Sequence, residues 1–257
     1  MSDIKSVKRS DENKAKSWDQ EVRSLWPESY PESLSNAFKK FGVSSILDAA
    51  GGTGYPSLIL KDMGWDISYS DASLVMMDFF KQQADVQHLT IPMYQSRWET
   101  LSQNIPHTYD ALMCAGNSIT NINSYDNEYP LIADSIKAQT QLAANEFYKM
   151  LNTGGVLYID LYNKECSRPD KPYSVTTTND THRIFRTISY DPVRNIRTNL
   201  TTTSSLTDNS EVDDISKTIP ILPEDLIEFL LAAGFSRVER ATTDDADFVD
   251  SFFAFKD

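Results

Sequence analysis

Cysteine is scarce in this chain: two in 257 residues, Cys114 inside an apolar run and Cys166 in a polar one. Two thiols so placed supply neither a disulfide framework nor a multi-cysteine zinc site, and Cys114 reads as buried bulk. Histidine is almost as sparse. His88, His107 and His182 show no metal-ligand spacing and read as loop or surface residues, so no metal is expected. No stretch approaches the ~20 consecutive apolar residues that a membrane helix requires. Met1 to Lys16 is polar and charged and lacks the apolar centre of a secretory signal. The expectation is a soluble, cytoplasmic protein with no membrane partner. Positive charge is also in deficit: 24 Lys and Arg face 37 Asp and Glu, a net charge of −13. Binding to nucleic-acid phosphates is driven mainly by Lys and Arg displacing counterions, so nucleic acid is disfavoured as a partner.

What is present is enough apolar material, 40% of the chain, for a sizeable core in one large domain with a smaller cap. Residues 11 to 41 read as helix, with Trp18, Val22 and Leu25 at helical spacing, a Pro-marked break at Trp26 to Pro31, and then Leu34, Ala37, Phe38 and Phe41. Strands are expected at Val43 to Ala50, Trp65 to Ser70, Ile91 to Gln95, Tyr109 to Ala115 and Val156 to Tyr162. Helices fall between them, including a long one from Tyr129 to Leu151 and a turn at Asn152 to Gly155. Lys164 to Pro220 changes texture to Thr, Ser, Asn and Asp alternating with apolar residues, the pattern of antiparallel strands with one solvated face. The α/β pattern then resumes with a helix from Pro223 to Ala233, stopped by Gly234, and strands at Ser236 to Arg240 and Phe248 to Phe255. The expected fold is a Rossmann-like α/β sheet, mostly parallel and seven-stranded, with helices on both faces, an antiparallel last strand and an inserted antiparallel β cap. Its parts are a helical lid segment (1–42), a Rossmann-like domain (43–163 and 221–257) and the cap (164–220).

The chemistry is concentrated after the first strand. Asp48-Ala49-Ala50-Gly51-Gly52-Thr53-Gly54 supplies backbone without obstructing side chains where a cofactor must lie close to the chain. The next strand ends at Tyr69-Ser70-Asp71, and a carboxylate there can accept hydrogen bonds from both hydroxyls of a ribose. Together these point to an adenosine-type ligand. A dinucleotide fingerprint would need a glycine where Ser57 stands, and a P-loop would need Gly-Lys-Ser/Thr, which does not follow. A bare glycine turn without a ligand is the plain alternative.

At this point the chain resembles the class I methyltransferases that use S-adenosylmethionine, and among them the glycine N-methyltransferase and glycine/sarcosine N-methyltransferase group. The resemblance runs from about Asp11 to Lys256. Ile46 to Gly54 is similar to that group's cofactor loop, and Ser70-Asp71-Ala72-Ser73 to its ribose-binding strand end. Gln95-Ser96-Arg97-Trp98 is similar to the segment packed on the adenine, and Cys114-Ala115-Gly116-Asn117-Ser118 to the strand end beside the methionine part. The resemblance implies S-adenosylmethionine as cofactor, held by Asp48, Ala50, Gly51, Gly52, Gly54, Asp71, Ala72, Arg97, Trp98 and Ala115. Each residue also has a plainer role open to it. Trp98 is either an adenine face or a core tryptophan, Asn117 a partner for a zwitterion or a turn residue, and Asp48 a ligand group or a strand-end cap.

Methyl transfer from a sulfonium is an in-line displacement, so the enzyme's task is to position a neutral nucleophile and exclude water, with no catalytic nucleophile required. Trp18, Trp26 or Tyr30 is expected to contribute to the lid. The resemblance breaks at the acceptor end. The glycine-methylating group carries an arginine for the substrate carboxylate after the fifth strand; here the run is Asp160-Leu161-Tyr162-Asn163-Lys164, with Tyr162 in the arginine's place. A phenol cannot form a charged two-pronged pair with a carboxylate. Another cation then takes over, with Lys164, Arg183 and Arg186 as candidates, or the acceptor is not a simple α-amino acid. Tyr162 and Asn117 are the expected catalytic pair. The leading expectation is N-methylation of a small amine or amino acid; O-methylation of a small metabolite and a non-catalytic cofactor-binding protein are the alternatives.

Overall fold

The computed structural model describes residues 11–122 and 132–257. Two helices, α1 (Asp11–Leu25) and α2 (Tyr30–Lys40), precede β1 (Ser45–Asp48). The chain then alternates through α3 (Ser57–Asp62), β2 (Asp66–Asp71), α4 (Leu74–Val86), β3 (Met93–Gln95), α5 (Leu101–Asn104), β4 (Tyr109–Cys114), α6 (Ala133–Met150) and β5 (Leu151–Tyr162). Four strands follow: β6 (Tyr173–Thr178), β7 (His182–Asp191), β8 (Ile196–Ser205) and β9 (Glu211–Thr218). The chain closes with α7 (Pro223–Ala233), β10 (Arg237–Arg240) and β11 (Val249–Phe255).

The main sheet has the order β10-β11-β5-β4-β1-β2-β3. Pairings from β3 through β5 are parallel, and β11 runs antiparallel to both of its neighbours. Successive residues of a strand face opposite sides, so a strand covered on both faces must be apolar throughout. Ile46, Met113, Val156 and Tyr158 pack with α2, whereas Leu47, Leu112, Leu157 and Ile159 pack with α6 and α7. The continuous apolar runs of β1, β4 and β5 record that double coverage. Gly234 ends α7 with φ of 111°, a left-handed value that favours glycine.

Two boundaries differ from the sequence expectation. Asn152 to Gly155, expected as a turn before the fifth strand, is drawn into β5: Tyr109 pairs with Leu151, and the register then jumps to Ala111 with Val156. Reciprocal bonds hold the extra residues, Gly154 N–H donating to Lys256 O at 2.7 Å and Lys256 N–H to Gly155 O at 2.9 Å. The long helix expected from Tyr129 begins at Ala133 among the described residues, and its expected first residues lie outside them.

The strands from β6 to β9 form a separate antiparallel sheet. Paired residues share a face, which gives the inner rows Arg186–Thr201–Asp214, Ile188–Asn199–Ser216 and Tyr190–Arg197–Thr218. Helix α1 lies against this face. Arg186 Nη2 donates to Glu21 at 2.5 Å, and Ser17 Oγ lies 3.4 Å from Thr203 Oγ1.

Candidate functional site

The site forms where β1, β2 and β4 end. Beyond Asp48 the chain turns tightly, Gly54 N–H donating to Gly51 O at 2.8 Å, before entering α3. A Cβ on Gly51 would lie 2.2 Å from the Tyr69 ring, so only glycine fits there. The Tyr69 hydroxyl donates to Gly52 O at 2.7 Å, holding the loop from beneath. Asp71, at the end of β2, accepts from Gly52 N–H at 2.9 Å and Ser73 N–H at 2.8 Å. These bonds fix the carboxylate at the crevice, and burial raises its pKa.

Two hollows that share Ala50 and Asp71 open here. Ala49, Ala50, Ala72, Trp98, Ile122 and Asp71 line a narrow slot that Ser96, Arg97 and Glu99 complete. Trp98 Nε1–H donates to Ala49 O at 2.6 Å, which sets the indole against the end of β1. Ala50 and Asp71 also border a larger cleft, with Gly51, Gly52, Ala115 and Gly116 on its floor and Trp18, Trp26 and Tyr30 on its roof. Trp18 closes over two strand ends at once. A Cβ on Gly52 would come 3.3 Å from its Nε1, and one on Gly116 3.6 Å from its Cζ2. All three aromatic candidates offered for the lid therefore border the cleft.

Behind the floor stand two buried carboxylates that accept hydrogen bonds from the loops rather than lining the cleft. Asp48 accepts from the Ser57 hydroxyl and from Ala50 N–H at 3.2 Å. Asp160 accepts from Gly116 N–H at 3.0 Å and Asn117 N–H at 2.6 Å. Burial pushes each up to about 7. From the roof, the Tyr30 hydroxyl donates to the Tyr158 hydroxyl at 3.2 Å, which donates to Asp245 Oδ1 at 2.6 Å.

Ala50, Gly51, Gly52, Asp71, Ala72, Arg97, Trp98 and Ala115 thus converge on the two hollows. Asp48 and Gly54 stand behind the wall. Gly54 is required by packing, since its Cβ would come within 2.9 Å of Phe80 and Leu58, not by a ligand's approach. The expected catalytic pair also falls outside. Tyr162 is buried with its ring between Phe248, at 6.1 Å, and the Arg197 guanidinium, at 4.9 Å. Asn117 is buried with φ of 58°, and its side-chain carboxamide has no hydrogen-bond partner among the described residues. Of the expected cations, Lys164 and Arg183 are exposed and Arg186 is engaged by Glu21. Asp214 and Ser216 of β9 border the cleft and were missed, although their two-residue spacing on an antiparallel strand puts them on one face. Arg197 was missed too.

The architecture matches solved structures along nearly its full length. An S-adenosylmethionine-dependent methyltransferase from Clostridium acetobutylicum superposes with a TM-score of 0.71 at 14% identity, covering 95% of this chain and 98% of that one. The chain has the S-adenosylmethionine-dependent methyltransferase fold. Two curated proteins match part of the sequence. Glycine/sarcosine N-methyltransferase of Aphanothece halophytica is 29% identical over 132 residues, 51% of this chain and 45% of that protein. Its counterpart in Halorhodospira halochloris is 33% identical over 125 residues, 49% of this chain and 42% of that protein. The matched stretch thus spans less than half the length of either relative. No protein-family model matches the sequence.

Proposed function

We propose that the protein is an S-adenosylmethionine-dependent methyltransferase acting on the nitrogen of a small amine or amino acid. The observation that carries this reading is continuity: the alanine- and tryptophan-lined slot shares Asp71 and Ala50 with an aromatic-roofed cleft at the same sheet edge. An adenosine needs the first, and a methyl donor's reactive end beside an acceptor needs the second.

The residues fit that cofactor. Trp98 and Ile122 offer apolar surface to a base, Asp71 offers acceptor capacity to ribose hydroxyls, and the small side chains of Ala50 and Ala72 leave room between them. When bound, the cofactor supplies an electrophilic methyl group on a sulfonium. The chain's own contribution is positioning. Asp48 and Asp160 hold the two loops through backbone N–H groups, so the cleft floor is set before a ligand arrives. Trp18, Trp26 and Tyr30 cover the cleft and exclude water, which favours the unprotonated, nucleophilic amine over its ammonium form. Nitrogen is favoured over oxygen as acceptor because both curated relatives are named as N-methyltransferases.

Titration calorimetry with S-adenosylmethionine, followed by a labelled-methyl screen over amines, amino acids and hydroxylated metabolites, tests the reading. Binding with label passing to an amine is the expected result. Absence of cofactor binding would overturn it, label on oxygen would move it to O-methylation, and binding without transfer would leave a cofactor-binding protein.

A further inference from the structure

Among the described residues, Arg197 is a buried cation without an anion. It is fully buried near the start of β8, in the middle of the row Tyr190–Arg197–Thr218, and its one side-chain hydrogen bond among the described residues runs from Nη2 to the Ser167 hydroxyl at 2.5 Å. Nε and Nη1 have no partner among the described residues. The titratable groups that act on it are Tyr162, Cys166 and Tyr190, none of them a carboxylate. A guanidinium stays charged and presents five N–H donors, so burying it with most of them idle is unfavourable unless something else completes the site. The Tyr162 ring beneath it, 4.9 Å away, attracts the charge through its face but accepts no N–H in the guanidinium plane. Arg186, two rows away on the same face, shows the satisfied alternative with its Glu21 partner.

The idle donors are not isolated. Thr218 is the cross-strand partner of Arg197 on β9, and its hydroxyl is buried and unpaired among the described residues. Asn199, two residues along β8 on the same face, has a buried, unpaired Oδ1, while its Nδ2 donates to Ser216 Oγ at 3.3 Å. Ser216 borders the cleft. An unbroken polar strip therefore runs along the cap from the cleft wall to the buried guanidinium. It ends in donors at Arg197 and Thr218 and an acceptor at Asn199.

We propose that Arg197 is the anchor for a carboxylate of the methyl acceptor, with Thr218 and Asn199 completing the site on the inner face of the cap. The ligand class that saturates this set is an acid with a hydroxyl or N–H close to its carboxylate: oxygen atoms for Arg197 and Thr218, a donor for Asn199. The specificity element then lies on β8 and β9, at a distance in sequence from the end of β5, where Tyr162 is turned into the core. The proposal rests on the methyltransferase reading for the word acceptor; the anion site itself does not.

The test compares the parent with Arg197→Met and Arg197→Lys in three measurements. First, methyl transfer is followed for carboxylated amines against their carboxamide analogues. The parent prefers the acid, and Arg197→Met raises KM for the acid at least about thirtyfold, as expected for truncating one partner of a buried charge pair, while its KM for the amide changes little. Arg197→Lys recovers part of the preference. Second, calorimetry with the same acids in the presence of S-adenosylhomocysteine shows binding to the parent that Arg197→Met loses, whereas both bind the spent cofactor alike. Third, the ligand-free melting temperature of Arg197→Met matches or exceeds that of the parent, because an unpaired buried charge has been replaced by an apolar chain of similar length. Equal use of acid and amide by the parent, or an intact acid preference in Arg197→Met, overturns the proposal. A lower melting temperature in Arg197→Met with unchanged acid binding makes Arg197 structural and also overturns it. If the cofactor does not bind at all, the methyltransferase reading fails, and the calorimetric comparison with acids alone still decides the anion site.

Discussion

Glu21 of α1 and Arg186 of β7 meet at 2.5 Å with side chains 5% and 4% exposed, so the N-terminal helix is joined to the cap sheet through a shielded ion pair. Arg186 Nε also donates to Thr201 Oγ1 at 3.3 Å. Trp18 lies one turn before Glu21 on the same helix and roofs the cleft. The pair therefore helps to fix where α1 carries Trp18.

Removing one partner should be far more damaging than removing both. Glu21→Ala leaves a buried guanidinium unpaired and is expected to lower unfolding free energy by about 3–5 kcal/mol, whereas Glu21→Leu combined with Arg186→Met should recover most of that loss. Denaturant unfolding of the two singles and the double checks this. Additive losses in the double would show that the two groups act independently.

Gly51 tests the loop without touching a ligand. A methyl group there would enter the Tyr69 ring, which is itself stacked on Phe80 at 3.9 Å and cannot retreat without breaking that contact. Gly51→Ala is expected to destabilise the fold by about 2–4 kcal/mol through overpacking and to weaken cofactor binding, because Gly52 and Asp71 move with the loop. Calorimetric melting and cofactor titration measure the two effects. A variant as stable as the parent would mean that Tyr69 has space to yield.

Asp71→Asn separates charge from shape. The amide oxygen can still accept from one backbone N–H, so the fold should survive with a modest loss, while acceptor capacity toward ribose hydroxyls falls. Cofactor affinity is expected to drop about ten- to hundredfold, the scale of hydrogen bonds to a charged group. Unchanged affinity would remove Asp71 from the cofactor site.

Much of this was legible in the sequence, and the reason is local. The glycine turn, the acid ending β2 and the glycine ending α7 are each fixed by neighbours within a few residues, so residue type and spacing carry the information. Tyr162 shows the limit. Its place at the end of β5 was read correctly, but the ring's direction is set by Phe248 and Arg197, 86 and 35 positions away, which no local pattern encodes. Arg197 was invisible for a related reason. Ile196 to Ser205 alternates apolar and polar only weakly, and which face is buried depends on contacts with distant segments, among them Ser167 on one side and α1 on the other. The idle guanidinium appears only once those segments are in place.

The two buried carboxylates that hold the cleft floor make stability depend on pH in a direction opposite to acid denaturation. Asp48 and Asp160 both titrate near 7 in the folded chain because burial disfavours their charged forms. In the unfolded chain they titrate near the ordinary value of about 4. Between those values the folded state binds more protons than the unfolded one, so stability falls as pH rises through that window. Once pH exceeds the folded pKa both states are ionised and the slope from these groups vanishes. The melting temperature of the ligand-free protein is therefore expected to decline from about pH 5 to about pH 7.5 and then to level off. Asp48→Asn, which mimics the protonated carboxyl and can still accept from Ala50 N–H, should flatten part of that decline. A melting temperature that rises steadily over the same range in the parent would show that Asp48 and Asp160 are ionised in the folded protein, and that the backbone N–H groups around them outweigh burial.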